Sequence, residues 1–145
     1  MIYRPMQKTD LSAVARLEEV CFQAERWSEE MFLSSFLQTG FVGEVCQNDR
    51  GEIVGYGCIS CVFDTADLYN IAVAPEYRRT GLGTSILRRL IASAKARGVE
   101  KMFLEVRPSN TSANRLYQSE GFFEISVRKK YYPDGEDARI LVKEL

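Results

Sequence analysis

Apolar residues recur along the chain with two spacings, and the alternation between them predicts the elements. Ile2 to Met6 reads as a short first strand, after which Thr9 or Asp10 caps a helix whose inward stripe is Leu11, Val14, Leu17, Val20 and Cys21. Ser28 caps a second helix, with Glu29 and Glu30 in its first turn and Met31, Phe32, Phe36 and Leu37 facing inward. Phe41 to Gln47 and Glu52 to Val62 form a hairpin through the turn Asn48-Asp49-Arg50-Gly51. Leu68 to Val73 is a third extended run, closed by Pro75 and the polar turn Glu76 to Thr80.

A long helix follows from about Gly81 to Arg97, with Leu82, Ile86, Leu87, Leu90, Ile91 and Ala94 inward, Arg88, Arg89 and Lys95 outward, and Gly98 as its stop. Met102 to Val106 returns as a strand parallel to Leu68 to Val73, completing a βαβ unit with a right-handed crossover. Ser112 to Glu120 is a short helix ended by Gly121. Phe122 to Tyr132 and Ala138 to Lys143 are two last strands joined through Pro133-Asp134-Gly135. The order predicts an α/β (α+β) fold, a mixed sheet with helices on both faces. Ligands are expected beyond the carboxyl end of the parallel strand, at the turn leading to Gly81.

Length and composition narrow the function. At 145 residues the chain is read as a single domain spanning 1–145, and 46% hydrophobic with 27% charged residues excludes a disordered or fibrous protein. Nineteen Lys and Arg against 20 Asp and Glu leave a net charge of -1, so direct nucleic-acid binding is not expected. No apolar run approaches roughly 20 residues, and Met1 to Asp10 lacks a signal peptide's apolar stretch, so no membrane association is expected and the cytoplasm is the expected location. Cys21, Cys46, Cys58 and Cys61 lie in or beside apolar segments, which suits a reducing compartment. Cys58 and Cys61 are three apart on a strand and face opposite ways, so no metal or redox pair is expected. The chain has no histidine, which removes Ser-His-Asp and Cys-His catalysis and leaves proton transfer to carboxylates, Tyr, Lys or Cys.

Two places carry candidate chemistry. Arg78-Arg79-Thr80-Gly81-Leu82-Gly83-Thr84 follows a strand and opens a helix, so its free N–H groups and the helix dipole would face an anion, with glycines allowing close approach. It fits neither the dinucleotide fingerprint nor the P-loop. Glu105 interrupts an apolar run, Met102-Phe103-Leu104 before it and Val106 after, where a carboxylate is costly unless paired or useful. Desolvation would raise its pKa toward neutrality, as suits a general base, while an ion pair with Lys101 or Arg107 is the plainer alternative.

Leu68-Tyr69-Asn70-Ile71-Ala72-Val73, a proline, and then Arg-x-x-Gly-x-Gly resemble the coenzyme A-binding core of the GCN5-related N-acetyltransferases (GNAT). A second set, Leu104-Glu105-Val106-Arg107, Ser109-Asn110, Leu116-Tyr117, Gly121-Phe122, Tyr131-Tyr132-Pro133 and Glu136-Asp137-Ala138, resembles the RimI-type enzymes, which acetylate the N-terminal alanine of a small-subunit ribosomal protein; Trp27-Ser28 fits their substrate-side segment. The family usually has Pro where this chain has Arg26, and commonly Met where it has Leu141, and both departures bear on the acceptor side.

The resemblance implies a mostly antiparallel sheet of about seven strands with one parallel pair and four helices. It implies acetyl-CoA as co-substrate, its pantetheine added like a strand along Ile71, Ala72 and Val73 and its pyrophosphate on Arg78, Arg79, Thr80, Gly81, Leu82, Gly83 and Thr84, with Asn110 also bonding it. No metal is implied. Glu105 would act as base and Tyr117 as the acid that protonates departing sulfur, although a Tyr on a short helix is also an ordinary core residue and an Asn before one an ordinary cap. Trp27, Tyr131, Tyr132, Glu136 and Asp137 are implied on the acceptor side, where Glu29, Glu30, Asp64 and Asp67 would add acidity suited to a basic N-terminal segment. Open alternatives are a small amine, polyamine or lysine acceptor, a cysteine acyl carrier at Cys58 or Cys61, and a non-catalytic acyl-CoA sensor.

Overall fold

A computed structural model describes residues 1–22 and 25–145. Seven strands form one sheet: β1 (Ile2–Pro5), β2 (Phe41–Gln47), β3 (Ile53–Val62), β4 (Thr65–Val73), β5 (Lys101–Val106), β6 (Phe123–Arg128) and β7 (Ala138–Glu144). Their spatial order is β1-β2-β3-β4-β5-β7-β6, and β4 with β5 is the parallel pair among antiparallel neighbours. The helices are α1 (Leu11–Cys21), α2 (Glu29–Phe36), α3 (Leu82–Ala96) and α4 (Thr111–Ser119).

Alternation along β3 sorts the helices onto two faces. Tyr56 points to α1, where its hydroxyl meets Glu18. Gly55 and Gly57 point the other way, where a Cβ would lie 3.0 Å and 2.8 Å from Ile86 of α3. The missing side chains let α3 settle closely over the middle of the sheet, and Ile86, Leu87 and Leu90 are fully buried there.

The helical stripes differ from the sequence reading in three places. In α1 the inward residues are Leu11, Val14, Leu17 and Glu18, while Val20 is 65% exposed. At about 100° per residue, position 20 lies half a turn round from position 11, so geometry overrides the apolar side chain. In α2, Phe32 is buried, whereas Met31 and the C-cap residue Leu37 are exposed, because a helix this short presents one narrow stripe to β2 and α1. Strand β6 stops at Arg128, leaving Tyr131 and Tyr132 in the connection to β7 rather than in a strand.

The feature that shapes the site is the parting of the central pair. Strands β4 and β5 are paired only over Thr65–Asp67 and Lys101–Phe103. Beyond that, β4 stays with β3 to Val73 and β5 stays with β7 to Val106. At the parting, Cys58 pairs with Asn70 and Ile59 with Leu68, so Tyr69 is the unpaired residue of a bulge. A bulge bends its strand and increases local twist, which carries the far half of β4 away from β5.

Close backbone contact fixes the turn before β2. Gly40 accepts a hydrogen bond from the Cys61 N–H at 2.7 Å, and a Cβ at Gly40 would fall 2.0 Å from the Cys61 carbonyl oxygen. Gly51, at φ +77°, has open space around it. Gly40→Ala is therefore expected to cost about 3 kcal/mol, at the upper end of overpacking, and Gly51→Ala about 1 kcal/mol of left-handed strain. Urea midpoints at constant slope check the ranking.

Candidate active site

The parted strands bound a cleft of about 1130 Å³ lined by residues from both faces of the sheet. On the α3 face it is lined by Gly81 to Thr84, Asn110, Leu116 and Tyr117, and on the α1 face by Trp27, Tyr69, Glu105 and Tyr132.

One wall is an open strand edge. Ala74 N–H donates to Val54 O at 2.8 Å, so by antiparallel alternation Ala72 and Asn70 turn their peptide groups toward β3, while Ile71 and Val73 turn theirs to the cleft. The Val73 carbonyl already accepts from Arg78 Nε at 3.2 Å and from Cys21 Sγ at 3.5 Å. The Ile71 N–H is likewise taken, by Asn70 Oδ1 at 3.2 Å, so the edge offers the Ile71 carbonyl and the Val73 N–H, and Ala72 only as its buried spacer.

The helix start beside this edge is built for an anion. Gly81, the N-cap of α3, sits at φ +86° and supplies no side-chain cap, leaving the first N–H groups of the helix free of protein acceptors. Arg79 also has positive φ, and with Gly81 it folds the turn so that successive amides converge. A Cβ on Gly83 would meet Leu116 and Val73 at 3.5 Å and 3.8 Å, ordinary contact. The protein itself has no steric need for glycine there, and the space a side chain would fill belongs to the cleft.

Tyr117 is buried on α4, its ring 5.7 Å from Phe122, and burial pushes its phenol pKa up, so it carries its proton at neutral pH. Asn110 caps α4, its Oδ1 accepting from Ala113 N at 3.2 Å, and also lines the cleft.

Glu105 corrects the sequence reading. The expected desolvation is absent, because β5 alternates cleanly: Met102, Leu104 and Val106 are buried on one face and Glu105 is exposed on the other. Of the apolar neighbours that suggested burial, Met102, Leu104 and Val106 point away from it and Phe103 shares its face, where β4 has already left the flank open. Neither Lys101 nor Arg107 pairs with it among the described residues. Its company is instead acidic and aromatic. Burial and the Glu105 charge raise the pKa of Asp67, a hydrogen bond to Glu105 and its charge raise that of Tyr131, and burial with the same charge raises that of Tyr132. Asp67 sits opposite Phe103, two residues before Glu105 on the same face. Two carboxylates on adjacent strands at the fork favour a cation between them.

Arg107, expected as a possible partner of Glu105, has other partners that sequence reasoning missed. Its guanidinium binds Glu25, Asp134 at 2.8 Å and Glu136 at 2.8 Å, and lies 3.9 Å from the centre of the Tyr132 ring. It thereby ties the segment before α2 to the β6–β7 connection across the mouth of the cleft. Glu136 is spent on Arg107 and Ser109, and Asp137 on Lys129 and Lys130 N–H, so neither is the free acid the sequence suggested. No periodic signal marks these contacts, which span up to 82 positions of sequence. Of the two departures, Arg26 is exposed beside Trp27, but Leu141 is buried opposite Leu104, on the face away from Glu105, and is a core exchange rather than an acceptor-side change.

Cys58 and Cys61 do face opposite ways. Burial, then Glu18, pushes Cys58 up to about 12, while Cys61 lies toward Arg97. Among the described residues no helix is long and apolar enough to cross a membrane.

An open strand edge, an uncapped glycine helix start and a buried phenol meet in one cleft, an arrangement able to accept an acyl-CoA, and comparison with known proteins shows the class. The model of the Acetyltransferase (GNAT) family matches residues 11–122, and the chain belongs to that family, whose members use acetyl-CoA. It is 39% identical over 139 residues to the ribosomal protein bS18-alanine N-acetyltransferase of Escherichia coli (strain K12), covering 94% of this chain and 92% of that one. The enzyme of the same name from Salmonella typhimurium (strain LT2) is 37% identical over the same coverage. The crystal structure of the Escherichia coli ribosomal-protein-S18-alanine N-acetyltransferase superposes with a TM-score of 0.90 at 38% identity, covering 99% of this chain and 92% of that one. The chain is an acetyl-CoA-dependent N-acetyltransferase of the RimI type.

The Arg107 cluster has a pH signature. Arg107 and Ser109 hold Glu136 below the usual carboxylate range, and the Glu136 N–H together with Arg107 does the same for Asp134. A carboxylate depressed in the folded state contributes stability above its unfolded pKa and loses it as pH falls through the folded one. Arg107→Gln should therefore be less stable than wild type by a constant margin above about pH 5, with the margin closing as pH falls below about 4. Melting temperatures across that range check this, and a margin unchanged at pH 3 would assign the effect of Arg107 to packing on Tyr132 instead.

Proposed function

We propose that the chain, acting as one catalytic domain in the cytoplasm, transfers acetyl from acetyl-CoA to the N-terminal alanine of a small-subunit ribosomal protein, bS18. The observation that carries the reading is one cleft with two unlike mouths. The α3 mouth offers N–H groups and arginines to a pyrophosphate, and the α1 mouth offers Glu105 to an amine, with Asp67 on the same face beyond the lining. The identity of the acceptor rests on the relatives named for that reaction, matched across 94% of the chain.

The donor would lie along Ile71 and Val73 with its pyrophosphate on Arg78 through Thr84. Glu105, open to water, would take a proton from the acceptor amine through a bound water. An α-amino group near pKa ~7.7–8.0 is partly neutral at pH 7, so this base need not be strong, whereas a lysine near ~10.4 would demand more of it. The neutral amine attacks the thioester carbon, the cleft-facing Val73 N–H donates to the developing oxyanion, and Tyr117 protonates the leaving sulfur. The burial that makes Tyr117 a weaker acid also raises the basicity of a thiolate released beside it, so the transfer stays feasible. Direct transfer is favoured over a cysteine carrier, since neither Cys58 nor Cys61 lines the cleft and burial pushes both thiols up.

Glu105→Gln and Tyr117→Phe should each lower kcat about a hundredfold with melting unchanged, and full rates in both would remove these roles. An acceptor panel of a peptide beginning with alanine, spermidine and free lysine should show the peptide preferred by kcat/KM. Binding of CoA with no transfer to any of them would favour a sensor. Gly83→Ala should stabilise α3 by about 1 kcal/mol while raising the KM for acetyl-CoA, because the new methyl group enters only the cleft.

A further inference from the structure

Beneath the acceptor mouth lies a buried carboxylate that the transfer chemistry does not use. Glu18 is 1% exposed in α1 and accepts from the Tyr56 hydroxyl, from Asn70 Nδ2 at 2.8 Å and from the Trp27 N–H at 2.8 Å. Burying a carboxylate among neutral donors is costly unless its oxygens are filled, and here donors from three separate segments fill them. Two of those segments meet again at the cleft. Trp27 packs on Tyr69, the bulge residue of β4, at 5.0 Å between ring centres, and Asn70, next to Tyr69, turns its Oδ1 to the Ile71 N–H at 3.2 Å. The bond from Asn70 Nδ2 to Glu18 fixes which way the amide faces, and so keeps its oxygen on the Ile71 N–H.

We propose that Glu18 is a positioning residue of the transferase site. It locks the segment before α2 to the β4 bulge, so that the Trp27–Tyr69 wall of the acceptor mouth and the Ile71 edge of the donor strand hold one relative geometry. This rests on the transferase reading for its consequence on rate, but its structural content does not depend on which amine is acetylated.

Glu18→Gln keeps the size of the side chain and replaces one acceptor oxygen by an NH2 group. If that group faces Trp27, the Trp27 N–H loses its partner. If it faces Asn70, the Asn70 amide must reverse and confront the Ile71 N–H with its own NH2. Trp27 is the only tryptophan of the chain, so its emission reports the first outcome, and titration calorimetry with CoA reports the second. In the folded variant, kcat/KM for acetyl transfer should fall at least about tenfold, the loss of one charge-assisted hydrogen bond. At least one of the other two readouts should move with it: a red-shifted, more readily quenched Trp27 emission, or CoA binding weakened about tenfold. A merely structural carboxylate would lower the melting temperature and leave emission and CoA affinity of the folded protein unchanged, and that result overturns the proposal. Should Glu18→Gln fail to fold, Asn70→Ala breaks the same link from the cleft side. It should weaken CoA binding with Trp27 emission unaltered, and wild-type CoA affinity in that variant is equally fatal.

Discussion

The site exists because β4 and β5 stay together for three residue pairs and then separate. A parallel pair in the middle of a sheet is ordinarily closed, with its peptide groups bonded and both faces covered by helices. Here the bulge at Tyr69 sends β4 off with β3 while β5 remains with β7, and the peptide groups of Ile71 and Val73 lose their neighbour. A free edge of that kind is a liability unless something extended is meant to lie along it. The same parting opens a route from one face of the sheet to the other, so donor and acceptor can enter from opposite sides.

Each side of the opening has its own electrostatic character. The α3 side combines free helix N–H groups, two residues at positive φ and the Arg78 and Arg79 side chains. The α1 side has Asp67 and Glu105, and the Arg107 guanidinium there is occupied by Glu25, Asp134 and Glu136. On the proposed reading, an anionic donor tail and a cationic acceptor amine would thus be sorted before either is bound. The exposure of Glu105 fits its proposed role, because a base at a wet mouth can relay a proton to bulk water, while the acid proposed at Tyr117 is buried where its proton is held.

The two faces are also unequal in how they are held. The donor side is secondary structure: a strand edge and a helix start, with α3 drawn close by Gly55 and Gly57. The acceptor side is assembled from connections, the segment before α2 and the stretch between β6 and β7, held by Arg107 above and Glu18 below. Elements fixed by their own hydrogen bonds tolerate little change, whereas connections tied by a few polar side chains can be remodelled. That contrast gives a physical reason why one fold can keep its donor and vary its acceptor.

Periodicity and punctuation sufficed for the order of elements, the parallel pair, the caps at Ser28 and Gly98 and the glycine turn at Gly81, because each depends on residues within a turn or two of one another. The resemblance to the acetyltransferases likewise rests on short contiguous motifs. What those local patterns could not decide was which neighbours a residue meets across the fold. Glu105 was read as buried from apolar neighbours of which Met102, Leu104 and Val106 point to the opposite face, and Val20, Met31 and Leu37 were read as core from their chemistry alone. Glu136 and Asp137 were read as free acids when Arg107 and Lys129 already hold them. Glu18 gave no signal and Arg107 was offered the wrong partner, for a buried carboxylate or a salt bridge leaves no period in the sequence, and such partners are brought within reach only when the strands pair, bulge and part.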